Sequence, residues 1–306
     1  MPDLAPSPPR HRLAALTSLT VWGARAAWLA AAVLGGRAVG AALADRSGPV
    51  QVAGTAGAWL GWAFGAMALA VPSVATLTVA RAVVPAALAV TVATVIFGAD
   101  ADDVLALGLP ALLASVLVAA AETGRTYLQA SAYGDERRFG LRPPLGYLAA
   151  TVTTWLVWVT AVITAWLAWP ARAWWLAAAT TLLAVAATMT LPRRWHQLSR
   201  RWLVFVPAGM VVHDPVVLSD SLLLTRAGIR RIAANEIGPG AVAGLDLTGP
   251  TPGLAIEITL DEPVTAVLAR RPPERHGRTA SGSTVLVSPT RPGAVLTEAA
   301  RRGVGG

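Results

Sequence analysis

The sequence predicts an α-helical polytopic membrane bundle of about six transmembrane helices followed by a C-terminal β-rich domain. Three observations carry that reading. The chain has 306 residues, of which 55% are hydrophobic and only 14% charged, where a soluble domain is about 25% charged, and its mean hydropathy is +0.56. Apolar stretches long enough to cross a bilayer recur from Leu13 to Pro192. Beyond the basic stretch TLPRRWHQLSRRWLVFVPAG, residues 190–209, the pattern changes: no Trp follows Trp202, turn residues multiply and short alternating runs begin.

Residues 1–12 (MPDLAPSPPRHR) are Pro-rich and basic and read as a disordered tail. The transmembrane region is expected over 13–192. Its first helix lies between Leu13 and Ala44, with Trp22, Arg25 and Trp28 at the inner interface and Arg25 snorkelling. The second span, about Ala56 to Val79, carries Gly57, Gly61 and Gly65 at four-residue spacing. Gly36 and Gly40 on the first span make close packing of these two helices the expectation. Pro72 is expected to kink the second span and Arg81 to mark a tight turn before a third span, Ala82 to Phe97. After the acidic connector GADADD comes a fourth span, Val104 to Ala121. A long loop with Arg125, Arg137, Arg138 and Arg142 follows, expected to hold a short amphipathic helix. The fifth and sixth spans, Tyr147 to Trp169 and Trp174 to Leu191, are joined by a turn flanked by Trp166, Trp169, Trp174 and Trp175. Four or five spans result if the first or third stretch only dips into the bilayer.

The arginines set orientation. With the N-terminus inside, the inner segments hold Arg10, Arg12, Arg81, the four loop arginines and Arg193, Arg194, Arg200 and Arg201. The outer ones hold Arg46 and Arg172. The positive-inside rule then places both termini in the cytoplasm of a multi-pass cell-membrane protein. Pro192 is expected to end the last helix, leaving residues 193–201 as a basic collar at the headgroups. The formal charge of +8 belongs to this topology, since the arginines sit beside apolar spans. Nucleic acid is not expected as a partner. The chain has no cysteine, which excludes disulfides and thiolate chemistry and leaves the redox compartment open. All basic residues are Arg and the apolar excess is Ala, Val and Leu, as in GC-rich bacterial coding sequence. No cleavable signal peptide is read, because Arg25 and Arg37 interrupt the first apolar stretches.

Residues 202–302 alternate. Strands are expected at 202–206, 210–214, 216–218 with 221–225, around Ile229 and Ile232, at 242–248, 254–260, 264–269 and 284–288. A turn is expected at Asp261–Pro263 and a mobile loop at 270–283. A closing helix in TRPGAVLTEAARR has Thr290 as N-cap and Arg301 and Arg302 at its C-terminus. Roughly seven strands and a helix is the order of a pleckstrin-homology-like (PH-like) barrel. RRWLVFVPAGMVVHDPVVLSDSLLLTRAGI and SPTRPGAVLTEAARR resemble the opening strands and the closing strand and helix of bacterial, actinobacterial-type membrane-attached PH-like proteins. The resemblance covers residues 200–302 and implies a cytoplasmic binding or scaffolding module, with no ligand residue carried over. A generic small β-sandwich is the alternative.

Catalytic constellations are not found. His11, His196, His213 and His276 are scattered, and Asp100, Asp102 and Asp103 read as solvated acids rather than a cation site. Thr151, Thr154, Thr164, Thr180, Thr181 and Thr188 are read as hydroxyls bonded to helix backbone or a neighbouring helix rather than a polar path. No cofactor or metal is expected. Arg137, Arg138, Arg193, Arg194, Arg200 and Arg201 are the candidate contacts to anionic lipid headgroups. Arg37 is expected in the outer part of the first helix, about 18 Å beyond Arg25. It either pairs with Asp103 or snorkels to the outer headgroups. The expected function is a non-enzymatic binding or scaffolding protein acting through its cytoplasmic PH-like domain, on the bilayer or a protein partner. The alternative is a component of a small-molecule or lipid transporter using the six-helix bundle.

Overall fold

A computed structural model describes residues 10–237, 244–269 and 277–305. It contains six helices long and apolar enough to cross a membrane: Leu19–Leu43, Gly48–Ala70, Val74–Ile96, Ala101–Ala119, Leu145–Ala168 and Trp174–Ser199. The C-terminal part contains sheets. Two compact units result, residues 1–72 with 79–127 and residues 73–78 with 128–306.

The first unit holds α1 (Arg10–Leu43), α2 (Gly48–Ala70), most of a third span formed by α3 (Val74–Val83) and α4 (Ala86–Ile96), then α5 (Ala101–Ala119) and the start of α6 (Ala121–Ala130). Its core sets small side chains against four larger ones: Ala24, Ala27, Ala68, Ala80 and Ala114 pack with Trp28, Leu69, Val84 and Val118. The α1 helix packs most extensively on α5 and also against α2. Trp28 and Trp62 tie α1 to α2 reciprocally, the Trp28 indole donating to the Trp62 carbonyl at 3.0 Å and the Trp62 indole to the Trp28 carbonyl at 3.1 Å. Of the expected glycine seam, Gly65 meets the Trp28 ring, whereas Gly36, Gly40 and Gly61 have open space where a Cβ would point.

The helix limits around Pro72 and Arg81 differ from the sequence reading. The α2 helix stops at Ala70, so Pro72 lies in the connection and kinks nothing. Ser73 and Thr76 then cap the next helix reciprocally, the Thr76 amide donating to Ser73 Oγ at 3.1 Å and the Ser73 amide to Thr76 Oγ1 at 2.9 Å. The third span therefore starts at Val74, and Arg81 lies within it rather than in a turn; its Nε donates to the Val118 carbonyl at 3.4 Å. Pro85 is where that span breaks between α3 and α4, since a proline supplies no amide and crowds the carbonyl four residues back. The last carbonyls of α2 are satisfied by side chains: Arg25 Nε donates to Leu69 at 2.9 Å, Arg25 Nη2 to Ala70 at 3.2 Å and the Tyr127 hydroxyl to Ala68 at 3.1 Å. Burial pushes the Tyr127 phenol up from its ordinary range, against the opposing charge of Arg25.

The second unit begins with a strand inside the long loop. β1 (Arg137–Gly140) pairs antiparallel with β2 (Trp202–Val206), and the hairpin of α7 (Leu145–Ala168) and α8 (Trp174–Ser199) is inserted between them. Gln129, near the end of α6, holds β1 in place: its Nε2 donates to the Glu136 carbonyl at 2.8 Å and its Oε1 accepts the Arg138 amide at 3.2 Å. β3 (Gly209–His213) and β4 (Leu222–Thr225) complete an antiparallel sheet of order β1-β2-β3-β4. β5 (Ile229–Ile237), β6 (Leu245–Asp246), β7 (Gly253–Val267) and β8 (Thr279–Val287) form a second, of order β5-β7-β8-β6, in which β6 and β8 run parallel. One apolar core joins the sheets to α9 (Pro292–Arg302), with Phe205, Met210, Leu224, Ile256, Ile258, Val285, Val295 and Ala299 among its members.

Five local expectations differ from the structure of the second unit. The α8 helix runs through Pro192 to Ser199, so Arg193 and Arg194 lie on its last turns instead of in a collar beyond it. Packing within the hairpin sustains the helix: Trp195 lies edge-on to Trp158 at 5.4 Å and donates to Thr154 Oγ1 at 3.3 Å. Residues 216 and 217 form a turn rather than a strand, because the Asp214 carbonyl accepts the amides of Val217 and Leu218, and Leu218 makes only an isolated bridge to Leu268. Asp261, Glu262 and Pro263 do not reverse the chain. They sit inside β7, where its register against β8 shifts between Thr259 and Val264, a place where a proline costs no ladder hydrogen bond. Arg291, not Thr290, occupies the N-cap of α9; the Thr290 amide is bonded to the Gly140 carbonyl instead. Of the expected loop at 270–283, residues 279–283 are strand, while 270–276, including His276, fall outside the described residues.

Candidate functional site

Strand pairing builds the site. Trp202 faces Gly140 on β1 and His213 on β3, with Arg138 one step diagonally away on the same face. The small residue at Gly140 leaves room, and a stack forms. The Arg138 guanidinium lies 5.2 Å from the Trp202 ring centroid, and His213 stacks on Trp202 at 4.8 Å with 27° between the planes. Glu136 steadies Arg138 at 2.9 Å. Arg200 Nη2 stands 3.4 Å from His213 Nε2 and donates to it, so Nδ1 carries the ring proton and donates to Ser221 Oγ at 2.8 Å. A neutral imidazole suits this position. Burial first, then Arg200 and Arg138, hold the His213 pKa below its ordinary value against the pull of Asp214.

That depression has a sign. In the unfolded chain His213 binds a proton near pH 6.5, and in the folded chain it does so only at lower pH. Its contribution is therefore intact above about pH 6.5 and is lost as the pH falls through the folded value. The expected result is a drop in the unfolding midpoint of the second unit on acidification below pH 6.5 that is shallower in His213→Gln. Identical slopes for the two proteins would remove His213 as the cause. The Glu298 carboxyl adds a separate loss at lower pH. Burial opposes its ionisation, but hydrogen bonds from Arg301 and Arg302 prevail and hold it below the usual carboxylate range.

The six arginines expected at the headgroups divide. Arg137, Arg193, Arg194 and Arg200 are exposed, and Arg138 is half-buried in the stack. Arg201 is 2% exposed. Its Nε and Nη2 donate to Asp214 at 2.8 and 2.7 Å, and its Nη1 to the Arg142 carbonyl at 2.5 Å. A guanidinium so enclosed has no face for a headgroup, which takes Arg201 out of the expected set. Arg142 is a latch as well, donating to the carbonyls of Pro252, at 2.7 Å, and Leu254.

Elsewhere, Arg37 Nε lies 3.3 Å from Asp103 Oδ1, with the arginine side chain exposed and the aspartate largely covered. Hydroxyls of the α7–α8 hairpin are engaged locally. Thr154 and Thr180 donate to carbonyls one turn back, and the indoles of Trp158 and Trp169 donate to Thr188 and Thr181. Among the described residues no three His, Asp or Glu side chains gather as metal ligands would. The sequence reading took Trp202 as the last Trp of the chain and His213 as one of four scattered histidines, without joining them. No local pattern in RRFG marks the strand that brings Arg138 to them. No protein-family model, curated protein or solved structure matches the chain.

Proposed function

We propose that this is a non-enzymatic cell-membrane protein whose C-terminal domain is a cytoplasmic, PH-like binding or scaffolding module working at anionic lipid headgroups. One observation supports it above the rest: the domain is strung on a membrane hairpin, with β1 ending five residues before α7 begins and β2 starting three residues after α8 ends. Trp202 and Arg138 thereby sit close in sequence to helix ends, with Arg193, Arg194 and Arg200 beside them, a composition suited to headgroup depth. The two sheets and closing helix agree with a PH-like order, while the strand drawn from the loop and the parallel β6–β8 pair depart from it. The bacterial assignment rests on the resemblance alone.

The test replaces Arg137, Arg138, Arg193, Arg194 and Arg200 together by Gln in the full chain, sparing Arg201. At about 1 kcal/mol per near-surface arginine, the variant should lose most of the enrichment of anionic over zwitterionic lipid in the annulus that co-purifies in nanodiscs. Unchanged enrichment would overturn the reading. Orientation is tested separately, and the absence of native cysteine makes labelling clean. In right-side-out vesicles, Ala171→Cys in the α7–α8 turn should react with an impermeant maleimide, and Ala208→Cys in the β2–β3 turn should react only after the membrane is opened. The reverse pattern would put the termini outside.

The transporter reading keeps one structural argument, the break of the third span at Pro85, since interrupted helices occur where transporters bind their solutes. A small solute that stabilises the full chain but not Pro85→Ala would favour it.

A further inference from the structure

We infer that the first unit carries a binding site for one anionic glycerophospholipid, in a groove between α1 and α2. The groove has a volume of about 270 Å³ and is lined by Arg25, Trp28, Leu29, Trp62, Ala66, Leu69 and Ala70. Its walls are apolar and aromatic, and Arg25 is the single charged side chain among them. The guanidinium is held in a fixed pose. Two of its N–H groups donate to the carbonyls of Leu69 and Ala70, and it lies over the Trp22 ring at 4.7 Å. A guanidinium has five N–H donors, so further ones are left for phosphate oxygens, for which its fork geometry is suited.

Depth favours a lipid over a soluble anion. Leu69 and Ala70 end the second apolar span, so Arg25 stands at the level where hydrocarbon gives way to headgroups. From there the groove runs along Trp28, Leu29, Trp62 and Ala66, deeper into the same two spans. An acyl chain would lie against the Trp28 and Trp62 faces while its phosphate meets Arg25. The two indoles are themselves fixed by their reciprocal bonds to backbone carbonyls, so the wall exists before the ligand arrives, which lowers the ordering cost of binding.

The experiment uses the full chain, delipidated in detergent and titrated with phosphatidylglycerol, phosphatidylcholine or inorganic phosphate, with bound molecules counted by native mass spectrometry. Wild type should hold one phosphatidylglycerol about tenfold more tightly than Arg25→Gln, the scale of a lost hydrogen-bonded charge contact. Because Arg25 also caps α2, Ala70→Phe provides a second arm. It keeps the guanidinium and blocks the groove, and should weaken the same binding event by a similar factor. Inorganic phosphate should not displace the lipid. Wild-type affinity in Ala70→Phe, or full displacement by phosphate, would overturn the proposal, as would equal retention of phosphatidylglycerol by wild type and Arg25→Gln.

Discussion

Asp214→Ala should destabilise the sheet domain by about 3–5 kcal/mol, the usual consequence of stranding one member of a buried ion pair. The pair is closed on all sides: the Arg201 and Asp214 side chains are 1% and 0% exposed, and two parallel N–H donors meet the two carboxylate oxygens. Removing the carboxylate leaves a guanidinium with the Arg142 carbonyl as its remaining acceptor. It also frees the Val216 amide, which donates to Asp214 Oδ1 at 3.1 Å and helps set the turn that delivers Val217 and Leu218 to the core. Amide exchange of the β2 and β3 peptides in nanodiscs reads the loss directly, as exchange about a hundredfold to several thousandfold faster. Asp214→Asn, which keeps one acceptor, should fall between. The double variant Arg201→Met/Asp214→Leu should regain most of the stability, because an apolar pair of similar volume carries no desolvation cost. Wild-type exchange in Asp214→Ala would show that the pair contributes nothing.

That ion pair also shows where sequence reading stops. Arg201 belongs to a run of arginines next to an apolar helix, and every local rule assigns such a run to the headgroups. What separates Arg201 from Arg200 is which side of β2's first turn each enters, and that depends on pairing with β1 at a sequence distance of more than sixty residues. Helix count was legible because hydrocarbon thickness imposes a length on every span, whatever its packing. The strands β2, β3 and β5 were legible because one face of each must be apolar. Residues 137–140 were not, since four residues rich in arginine carry no alternation that would mark them as sheet. Proline misled at Pro72 and at Pro192 for one reason. It forbids a hydrogen bond at one amide, but tertiary packing decides whether the helix ends there, as before Pro72, breaks and resumes, as at Pro85, or continues, as at Pro192.

Gly65→Ala should damage the first unit, while Gly61→Ala, one turn earlier in the same spacing, should be silent. A Cβ on Gly65 would fall 2.5, 2.7 and 2.8 Å from Cζ2, Cε2 and Nε1 of Trp28, whereas one on Gly61 meets nothing within 4 Å. Trp28 cannot easily retreat. It is 5% exposed, and its indole is bonded to the Trp62 carbonyl while its own carbonyl accepts from Trp62. Overpacking of this kind costs about 1–3 kcal/mol, reached here by loosening both indole bonds together. Gly61→Ala should stay within about 0.5 kcal/mol of wild type or gain slightly from helix propensity. Thermal unfolding of the purified full chain in one detergent compares them. Trp28→Phe shrinks the ring that the new methyl strikes, so Gly65→Ala should cost less in that background than in wild type, a coupling a double-mutant cycle isolates. Equal costs in both backgrounds would mean that Gly65 is needed for something other than the indole. Equal costs for Gly61→Ala and Gly65→Ala would mean that the four-residue spacing itself, and not its meeting with Trp28, brings the helices together.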